Sequence, residues 1–451
     1  MSKNKFYELQ GLAIPLALGS LAANSMGFID ATMAGNVSAV DLAAVSLAGS
    51  LWFSIMMLCY GVFIPLSPVI SGLNKSNQRN QIAPKIHNSI YVSILNAIPI
   101  VILYLNIESI LIAANVEREV ASKTAEYLFY MIFAIPAYLC WGILKILCDS
   151  LSLTKIGMIV GYIGVIINVP LNYAFVNGEF GLPAMGGAGC GLATAILYWA
   201  ISMIIALYIM TSKKFKDINV FKVTPPNIEG MKFAFNLGMP ISIALFLDLL
   251  AFGVISILAA GYGAVSLAAH QVALNSAMLI CMVPMALGNA TSILVGGCVG
   301  VDDFAGAKES IKVGLVTTLL LIIVTSGLTV IFREHIGLIY SNDSTVLKTS
   351  SFLLILGALY QLFSALNHAL RGALQGFGET KVIMKTSILS SWLVGLPLGY
   401  VLANTNLIVD AMGIYGLWVG LLSIPLVASS MMVLKLRHKL AGYDSQLQFE
   451  S

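Results

Sequence analysis

Long apolar runs separated by short polar segments form the pattern of this chain. The segment from Leu249 to Val301 contains no Asp, Glu, Lys or Arg at all. A helix needs about 20 mostly apolar residues to cross a bilayer, and charges, Pro/Gly clusters and polar loops divide the chain into runs of that kind. We predict spanning helices near residues 10–35, 42–73, 86–112, 122–148, 156–177, 187–211, 230–261, 267–299, 310–332, 347–372, 382–404 and 411–434. The predicted fold class is an all-α integral membrane protein with twelve transmembrane helices, because a β-barrel would show short alternating segments instead.

Composition agrees with this pattern and excludes a soluble domain. The 451 residues are 58% hydrophobic and 10% charged, whereas soluble domains carry roughly 25% charged residues. The net charge of +3 is small, and we expect no nucleic-acid partner. The six cysteines lie in or beside apolar runs without metal-ligand spacing, which is typical of small buried side chains. No nucleotide-binding or catalytic motif is present, so we expect neither an enzyme nor a bound cofactor.

Lysine and arginine are divided unevenly between the two sets of predicted loops. With the N-terminus inside, nineteen of the 24 Lys and Arg residues, Arg371 among them, fall in inner segments and four in outer segments. Lys145, near the inner end of a predicted span, is counted in neither set. Cytoplasmic loops of membrane proteins carry such an excess of positive charge. We therefore expect a multi-pass protein with both termini in the cytoplasm.

The two halves of the chain resemble each other at an offset of about 225 residues. "AVDLAA" at 39–44 matches "AVSLAA" at 264–269, Pro15 matches Pro240, and "PLNY" at 170–173 matches "PLGY" at 397–400. Each half contains six spans, so both halves enter the membrane in the same direction. This predicts two six-helix bundles related by a parallel pseudo-twofold repeat, with its axis along the membrane normal.

The repeat also predicts the domain organisation. We expect an N-terminal six-helix bundle at 1–212, a cytoplasmic linker at 213–230, a C-terminal six-helix bundle at 231–438 and a cytoplasmic tail at 439–451. Two bundles that face each other across a cleft would form an alternating-access transporter. An inert helical scaffold is the alternative, but it would give no purpose to the polar residues inside the spans.

Two acids lie well inside the predicted spans, Asp30 in the first span and Asp248 in the seventh. An acid near the middle of a spanning helix costs about 2.5–3.5 kcal/mol on insertion scales, so each one needs a reason to be present. The repeat maps Asp30 onto Ile255, which assigns the two acids to different sites. The functional interpretation of each is a cation or proton site. The structural alternative is an acid satisfied by Ser, Thr and Asn neighbours.

Further polar residues accompany these acids. Asn168 and Asn172 are one helical turn apart, with Pro170 between them. Their oxygens, and a backbone loosened by the proline, suit a hard cation, although Asn also forms hydrogen bonds between membrane helices. The eighth and tenth spans carry polar side chains that could line a cleft or join helices, among them Gln271, Tyr360, Gln361 and Ser364.

Five stretches carry a resemblance to a known family: "GFIDATMAG", "NVPLNYAF", "GAGCGLATAILYW", "LAAHQVALN" and "GLPLGYVL". From about residue 10 to 438 the chain resembles the MATE (multidrug and toxic compound extrusion) transporters, and it is most similar to their bacterial NorM-type branch. The resemblance implies an antiporter in the bacterial cytoplasmic (inner) membrane. Such an antiporter exports cationic, amphipathic drugs and dyes in exchange for Na⁺ or H⁺.

The resemblance also implies roles for individual residues. Asp30 matches the family's essential acid on the first helix, and Pro15 matches a proline at which that helix bends. The family's cation site, for which Na⁺ is a candidate, corresponds here to Asp30, Asn168, Asn172 and Thr194.

A substrate site or second cation site is implied in the C-terminal half. Its candidate residues are Asp248, Gln271, Tyr360, Gln361 and Ser364. Asp248 matches the acidic position of the seventh helix, and Tyr360 and Gln361 match a Tyr-Gln pair of the tenth. One departure matters: the NorM pattern has an Asp where this chain has Ser364. The N-terminal site around Asp30 is therefore the better candidate for ion coupling.

Two functions remain open from the sequence. The leading one is a multidrug efflux antiporter whose partners are small cationic drugs, dyes and membrane lipid, and which we expect to be a monomer without a cofactor. The alternative is a lipid-linked oligosaccharide flippase, which would need a strongly cationic cleft, whereas only Lys145 lies within a span. The coupling ion stays open because Asp, Asn and Thr oxygens suit Na⁺, while a single titratable Asp suits H⁺.

Overall fold

The structure is a computed structural model that describes residues 3–407 and 409–450, with side chains as far as residue 442. All regular structure in this part of the chain is helical. The first half contains α1 (Lys3–Val37), α2 (Ala39–Tyr60), α3 (Leu66–Lys75), α4 (Ile82–Leu105), α5 (Ile107–Ala113), α6 (Arg118–Ile132), α7 (Ile135–Ser150), α8 (Thr154–Asn177) and α9 (Gly187–Thr211). The second half contains α10 (Ile228–Ala260), α11 (Ala264–Val299), α12 (Phe304–Ile331), α13 (Arg333–Tyr340), α14 (Ser344–Gly376), α15 (Thr380–Ser387), a π-helix (Ile388–Gly395), α16 (Leu396–Asn404) and α17 (Ile414–Glu450).

The number of apolar spans agrees with the sequence pattern. Within the described residues, eleven helical segments are long and apolar enough to cross a membrane. The pair α6 and α7 supplies a twelfth, because the two helices together are long and apolar enough to cross a membrane. The predicted all-α fold with twelve transmembrane helices is therefore confirmed.

Two of the predicted spans, 42–73 and 122–148, are broken next to a proline. The run 42–73 is interrupted by turns at 61–65, where the amide of Phe63 donates to the Tyr60 carbonyl (2.9 Å) just before Pro65. The run 122–148 bends by 56° between α6 and α7, and Pro136 stands in the first turn of α7. Proline has no amide hydrogen and fits the start of a helix better than its interior. Hydropathy does not detect either break because both segments remain apolar.

The described chain forms two compact units. The N-terminal unit is Pro15–Ser242, and the C-terminal unit is the chain up to Ile14 together with Ile243 onward. Helices α1 and α10 are thus each divided between the units, near the repeat-related prolines Pro15 and Pro240. The predicted bundle boundaries follow the repeat rather than packing, and they stay a prediction. The predicted tail continues α17 to Glu450, while residue 451 and residues 1 and 2 of the predicted N-terminal bundle lie outside the described residues.

The linker after α9 is held by hydrogen bonds to the first three turns of α4. His87 donates from Nε2 to the Val220 carbonyl (2.7 Å), and its Nδ1 accepts from the Thr224 amide (3.3 Å). The Tyr91 hydroxyl donates to the Thr224 carbonyl (2.6 Å). The Asn227 amide donates to Asn88 (3.1 Å). These bonds satisfy linker backbone groups that would otherwise have to find water.

The core of the N-terminal unit contains a cluster of aromatic rings. The ring of Trp52 on α2 lies 6.1 Å from that of Tyr104 on α4 and 5.8 Å from that of Tyr138 on α7. Tyr198 of α9 packs edge-on against Tyr138 at 5.1 Å. Four helices therefore meet around one buried cluster, which fixes α9 relative to its neighbours.

A second contact sets where α9 begins. Asp41 in the first turn of α2 is almost fully buried, and its carboxylate accepts from the Gly187 amide (2.8 Å) at the start of α9. It also pairs with Lys123 of α6 (2.8 Å). Ser38, the residue before α2, accepts from the Asp41 amide (2.9 Å), so the two form a helix-capping pair. One acid thus joins the N-terminal ends of α2, α6 and α9.

In the C-terminal unit, α11 and α14 cross at two glycines. A Cβ added to Gly288 would collide with the backbone carbonyl of His368, and one added to Gly372 would collide with the Gly288 carbonyl. Small residues at such crossings let the backbones of membrane helices approach closely and gain van der Waals contact.

We expect Gly372→Ala to destabilise the protein, because the new methyl group forces α11 and α14 apart. Overpacking of this kind costs about 1–3 kcal/mol, which would lower the midpoint of thermal unfolding of the purified protein. Gly253→Ala is the matched control, since a Cβ there meets no heavy atom within 4 Å and Ala favours a helix over Gly. Equal midpoints for the two variants would contradict the close crossing.

We expect Asp41→Ala to lower the free energy of unfolding by about 1–3 kcal/mol, because the buried Gly187 amide loses its acceptor. The measurement is thermal or denaturant unfolding of the purified protein. Glu119→Ala is the control: this exposed acid lies 4.0 Å from the same Lys123, and a surface pair contributes about 0–1 kcal/mol. Equal effects of the two substitutions would show that Asp41 does not anchor α9.

Candidate functional site

Asp30, two turns before the C-terminal end of α1, is held by three side chains. Only 5% of Asp30 is exposed. Its Oδ1 accepts from Asn168 Nδ2 (3.1 Å) and Asn172 Nδ2 (2.6 Å), and its Oδ2 accepts from Thr194 Oγ1 (3.0 Å). All four residues that the resemblance assigned to a cation site are therefore brought together, on α1, α8 and α9.

The local sequence explains why these helices meet here. Asn168 and Asn172 are four residues apart on α8, so they lie on one face of the helix. Close packing of α1 against α8 is possible because both helices carry glycine at their contact: a Cβ on Gly19 would lie 3.5 Å from Met158 Cα, and one on Gly161 would lie 3.5 Å from Ala22 Cβ. This contact, two to three turns before Asp30 on α1 and before Asn168 on α8, brings Asp30 within reach of the asparagines.

The hydrogen bonds of this cluster are incomplete on the asparagine side. The Oδ1 atoms of Asn168 and Asn172 are buried and have no hydrogen-bond partner among the described residues. Buried amide oxygens are nearly always paired, because an unpaired one costs about 1–3 kcal/mol. No group of three His, Cys, Asp or Glu side chains that could hold a metal ion occurs in the described residues. The cluster offers one carboxylate and neutral oxygens, a donor set of the kind that hard cations prefer.

Two neighbours of this cluster were not singled out from the sequence. Cys190 on α9 donates from Sγ to the Asp30 backbone carbonyl (3.6 Å). Asp41 holds the start of the helix that carries Thr194. The Ser38–Asp41 spacing is a capping signal that could have identified Asp41, whereas no sequence signal marks Cys190.

Asp248 on α10 has a charged partner that the sequence analysis did not predict. Arg371 of α14 was counted there among the inner cations, but its Nη2 donates to Asp248 Oδ2 (2.9 Å). Ser387 and Ser391 donate to Asp248 Oδ2 and Oδ1, each at 3.4 Å. Asp248 is therefore one member of an ion pair and not an acid held by neutral groups alone.

The other candidates in the C-terminal unit have their own partners. Gln361 accepts from Ser326 (3.3 Å) and Thr329 (3.4 Å) of α12. Tyr360 packs edge-on against Phe252 of α10, with ring centroids 6.4 Å apart. Ser364 is buried on α14 and Gln271 is half-buried on α11. Unlike the three residues that donate to Asp30, these side chains are not drawn together by hydrogen bonds to one acid within the described part of the chain. Their role in substrate binding stays a prediction.

The sequence also singled out Pro15 and Lys145. Pro15 lies inside α1, which is continuous from Lys3 to Val37, and the bend predicted there stays a prediction. Lys145, the cation within a predicted span, forms a buried pair with Asp149 one turn later on α7 (2.7 Å). Its positive charge is therefore already matched by an acid of the same helix.

Comparison with known proteins extends over the whole chain. A family model described as MatE matches it twice, at residues 15–174 and 240–401. The starts of the two matches are 225 residues apart, which confirms the internal repeat. Multidrug resistance protein NorM of Vibrio vulnificus (strain YJ016) is 39% identical over 447 residues, covering 99% of this chain and 98% of NorM. Multidrug resistance protein MdtK of Yersinia pseudotuberculosis is 36% identical over 432 residues, covering 95% of this chain and 94% of MdtK.

The fold agrees with these matches. The crystal structure of the eukaryotic MATE transporter AtDTX14 superimposes with a TM-score of 0.88 at 20% identity, covering 98% of this chain and 99% of that one. A likeness at this identity concerns the fold, while the NorM and MdtK matches concern the sequence itself. Together with the repeated MatE match, they show that this chain belongs to the MATE family of transporters and to its NorM-type branch.

Proposed function

We propose that this protein is a multidrug efflux antiporter of the bacterial cytoplasmic membrane, which exports cationic amphipathic compounds in exchange for Na⁺ bound at Asp30. The names of the NorM and MdtK relatives, each a multidrug resistance protein, support the export of drugs. The excess of positive charge in the inner segments supports termini in the cytoplasm. We further propose that it acts as a monomer in contact with membrane lipid.

The observation that carries ion coupling is the pair of unpartnered oxygens beside a buried acid. In the arrangement described, both asparagines turn their amide nitrogens toward Asp30 and leave their oxygens unpaired. A half-turn of each amide would exchange nitrogen and oxygen. The site would then present the two amide oxygens, the carboxylate and the Thr194 hydroxyl to one cation. The same four side chains can therefore donate to the free carboxylate or coordinate an ion.

This geometry supports Na⁺ more than H⁺. A proton on Asp30 would create one O–H donor, which could pair with only one of the two amide oxygens. A hard cation such as Na⁺ accepts several oxygen ligands at once and could pair with both. The single carboxylate also suits a single positive charge. Proton coupling remains the alternative outcome of the tests below.

Exchange follows because the negative charge of Asp30 attracts both the ion and a cationic substrate. A Na⁺ ion that binds from outside neutralises Asp30, and the protein then holds a cationic substrate less strongly. After the ion leaves to the cytoplasm, the recovered charge again favours a cationic substrate. Coupling between two ligands is reciprocal. A substrate that lowers the affinity for Na⁺ therefore has its own affinity lowered by Na⁺, by the same factor.

The flippase alternative finds less support in the charges. A site for a lipid-linked pyrophosphate needs unpaired cations, whereas Lys145 pairs with Asp149 and Arg371 pairs with Asp248. The buried acid Asp30 would repel the same headgroup. We therefore keep drug export as the proposed function.

We expect Asp30→Asn to abolish coupled export, because the amide cannot supply the charge that attracts the ion. The measurement is ethidium efflux from energised drug-sensitive cells, at fixed pH, with Na⁺ or with choline at the same concentration. Wild type should pump only with Na⁺, and the variant should fall to the level of cells without the protein. Asp343→Asn, an exposed helix cap, is the control and should pump normally.

The same experiment tests the alternatives. Efflux that ignores Na⁺ but stops with a protonophore, and is lost in Asp30→Asn, would make the coupling ion H⁺. Normal efflux by Asp30→Asn would make Asp30 a structural acid and overturn the proposed site.

We expect Na⁺ to stabilise the purified wild type against heat, since a ligand that binds only the folded state stabilises it by about 2.7 kcal/mol at 100 times its Kd. The midpoint of unfolding should rise by a few degrees in NaCl relative to choline chloride of equal ionic strength. Asp30→Asn and Asn172→Leu should abolish the rise, whereas Asp343→Asn should keep it. Equal midpoints for wild type in both salts would argue against Na⁺ at this site.

A further inference from the structure

The ion pair between Asp248 and Arg371 has an incomplete geometry. Arg371 contacts the carboxylate through Nη2 alone (2.9 Å), and the same Nη2 donates to Ser387 Oγ (2.8 Å). Its Nε is buried and has no hydrogen-bond partner among the described residues. Strong arginine–carboxylate pairs are usually bidentate, with two parallel N–H···O bonds. The guanidinium therefore uses only part of its donor capacity on Asp248.

The pair is also partly accessible and lies against an irregular helix. The Asp248 side chain is 26% exposed and that of Arg371 15%. Ser391, which donates to Asp248, belongs to the π-helix Ile388–Gly395, and Trp392 of the same segment donates to the Leu247 carbonyl (3.3 Å). π-helical segments are rare and frequently occur at functional sites. The wall of this site is thus built from a segment typical of binding sites rather than of simple packing.

We propose that Arg371 is a tethered cation that occupies Asp248 in the substrate-free protein and that an organic cation must displace to bind there. This inference rests on the proposed function, because it assigns the competitor of a cationic substrate in the C-terminal unit. The single-point contact lets the guanidinium leave the carboxylate without breaking a two-bond fork. Ser387 and Ser391 remain beside Asp248 after Arg371 has moved, and their hydroxyls continue to donate to it.

Arg371 sets the affinity of the Asp248 site for an organic cation. A ligand that binds only when Asp248 is free has an apparent Kd equal to its intrinsic Kd divided by the fraction of protein in that state. If the ion pair is closed about nine-tenths of the time, the apparent Kd is raised about tenfold. Arg371 would thereby weaken binding and speed release, and it would exclude Na⁺ from this acid while Asp30 remains open to it.

The test measures binding of tetraphenylphosphonium, a permanent organic cation without a titratable proton, to the purified full-length protein in Na⁺-free buffer. Arg371→Gln should lower its Kd about tenfold relative to wild type. Arg371→Lys keeps a positive charge and should lie between the two. The double variant Asp248→Asn with Arg371→Gln should lose the gain, because the freed carboxylate is gone.

Lys145→Gln is the matched control, since it removes a cation from an acid of the other unit and should leave the Kd unchanged. Equal tightening by Lys145→Gln would indicate a general effect of net charge and overturn the proposal. Unchanged or weaker binding by Arg371→Gln would overturn it as well. If Arg371→Gln does not purify as a folded protein, Arg371→Lys is measured in its place. A Kd of that variant no lower than the Kd of wild type would overturn the proposal.

Failure of this inference can be separated from failure of the proposed function. Wild type that neither binds tetraphenylphosphonium nor exports ethidium would contradict drug export itself. Wild type that binds and exports, with a Kd that Arg371→Gln does not lower, would contradict only the tethered cation.

Discussion

A carboxylate buried in a membrane bundle must be matched by donors or by a cation, and Asp30 imposes this requirement on the N-terminal unit. Two asparagines one turn apart on α8 donate hydrogen bonds to one of its oxygens, and Thr194 of α9 donates to the other. The glycines of the α1–α8 contact bring the acid within reach. Asp41 fixes the start of α9. Much of the packing of α1, α8 and α9 can therefore be read as the support of one negative charge.

The two intramembrane acids of this chain are stabilised by different physical means. Among the described residues Asp30 has neutral donors only, which stabilise its charge without cancelling it. The site therefore keeps a net negative charge that can attract a mobile cation. Asp248 has Arg371, and the pair as a whole is neutral. Only a ligand that competes with the arginine can use that acid. The repeated bundles therefore do not repeat their chemistry, in line with the offset that maps Asp30 onto Ile255.

Sequence patterns located the helices and one residue cluster, but they missed breaks within the spans and an ion pair between helices. Hydropathy located the twelve spans, and the i, i+4 spacing together with the family resemblance assembled the residues around Asp30. The turns at 61–65 and the bend before Ile135 were missed, because proline alters hydrogen bonding without altering hydropathy. Arg371 was assigned to the inner cations, because its position near the end of a span does not show that Asp248 lies opposite it on another helix. The unpartnered asparagine oxygens likewise appear only once side chains are placed.

The charges that cross the membrane in each cycle determine which part of an ion gradient can drive the proposed exchange. Moving one charge across the membrane potential yields about 2.3 kcal/mol per 100 mV. If one Na⁺ enters for each substrate with one positive charge that leaves, no net charge moves and this term cancels. The Na⁺ concentration ratio alone then drives export, and a tenfold ratio supports about a tenfold substrate ratio. For a substrate without net charge the potential adds its full contribution. A single exchangeable cation site would thus make the driving force depend on the charge of the drug, while Arg371, which never leaves the protein, adds nothing to the balance.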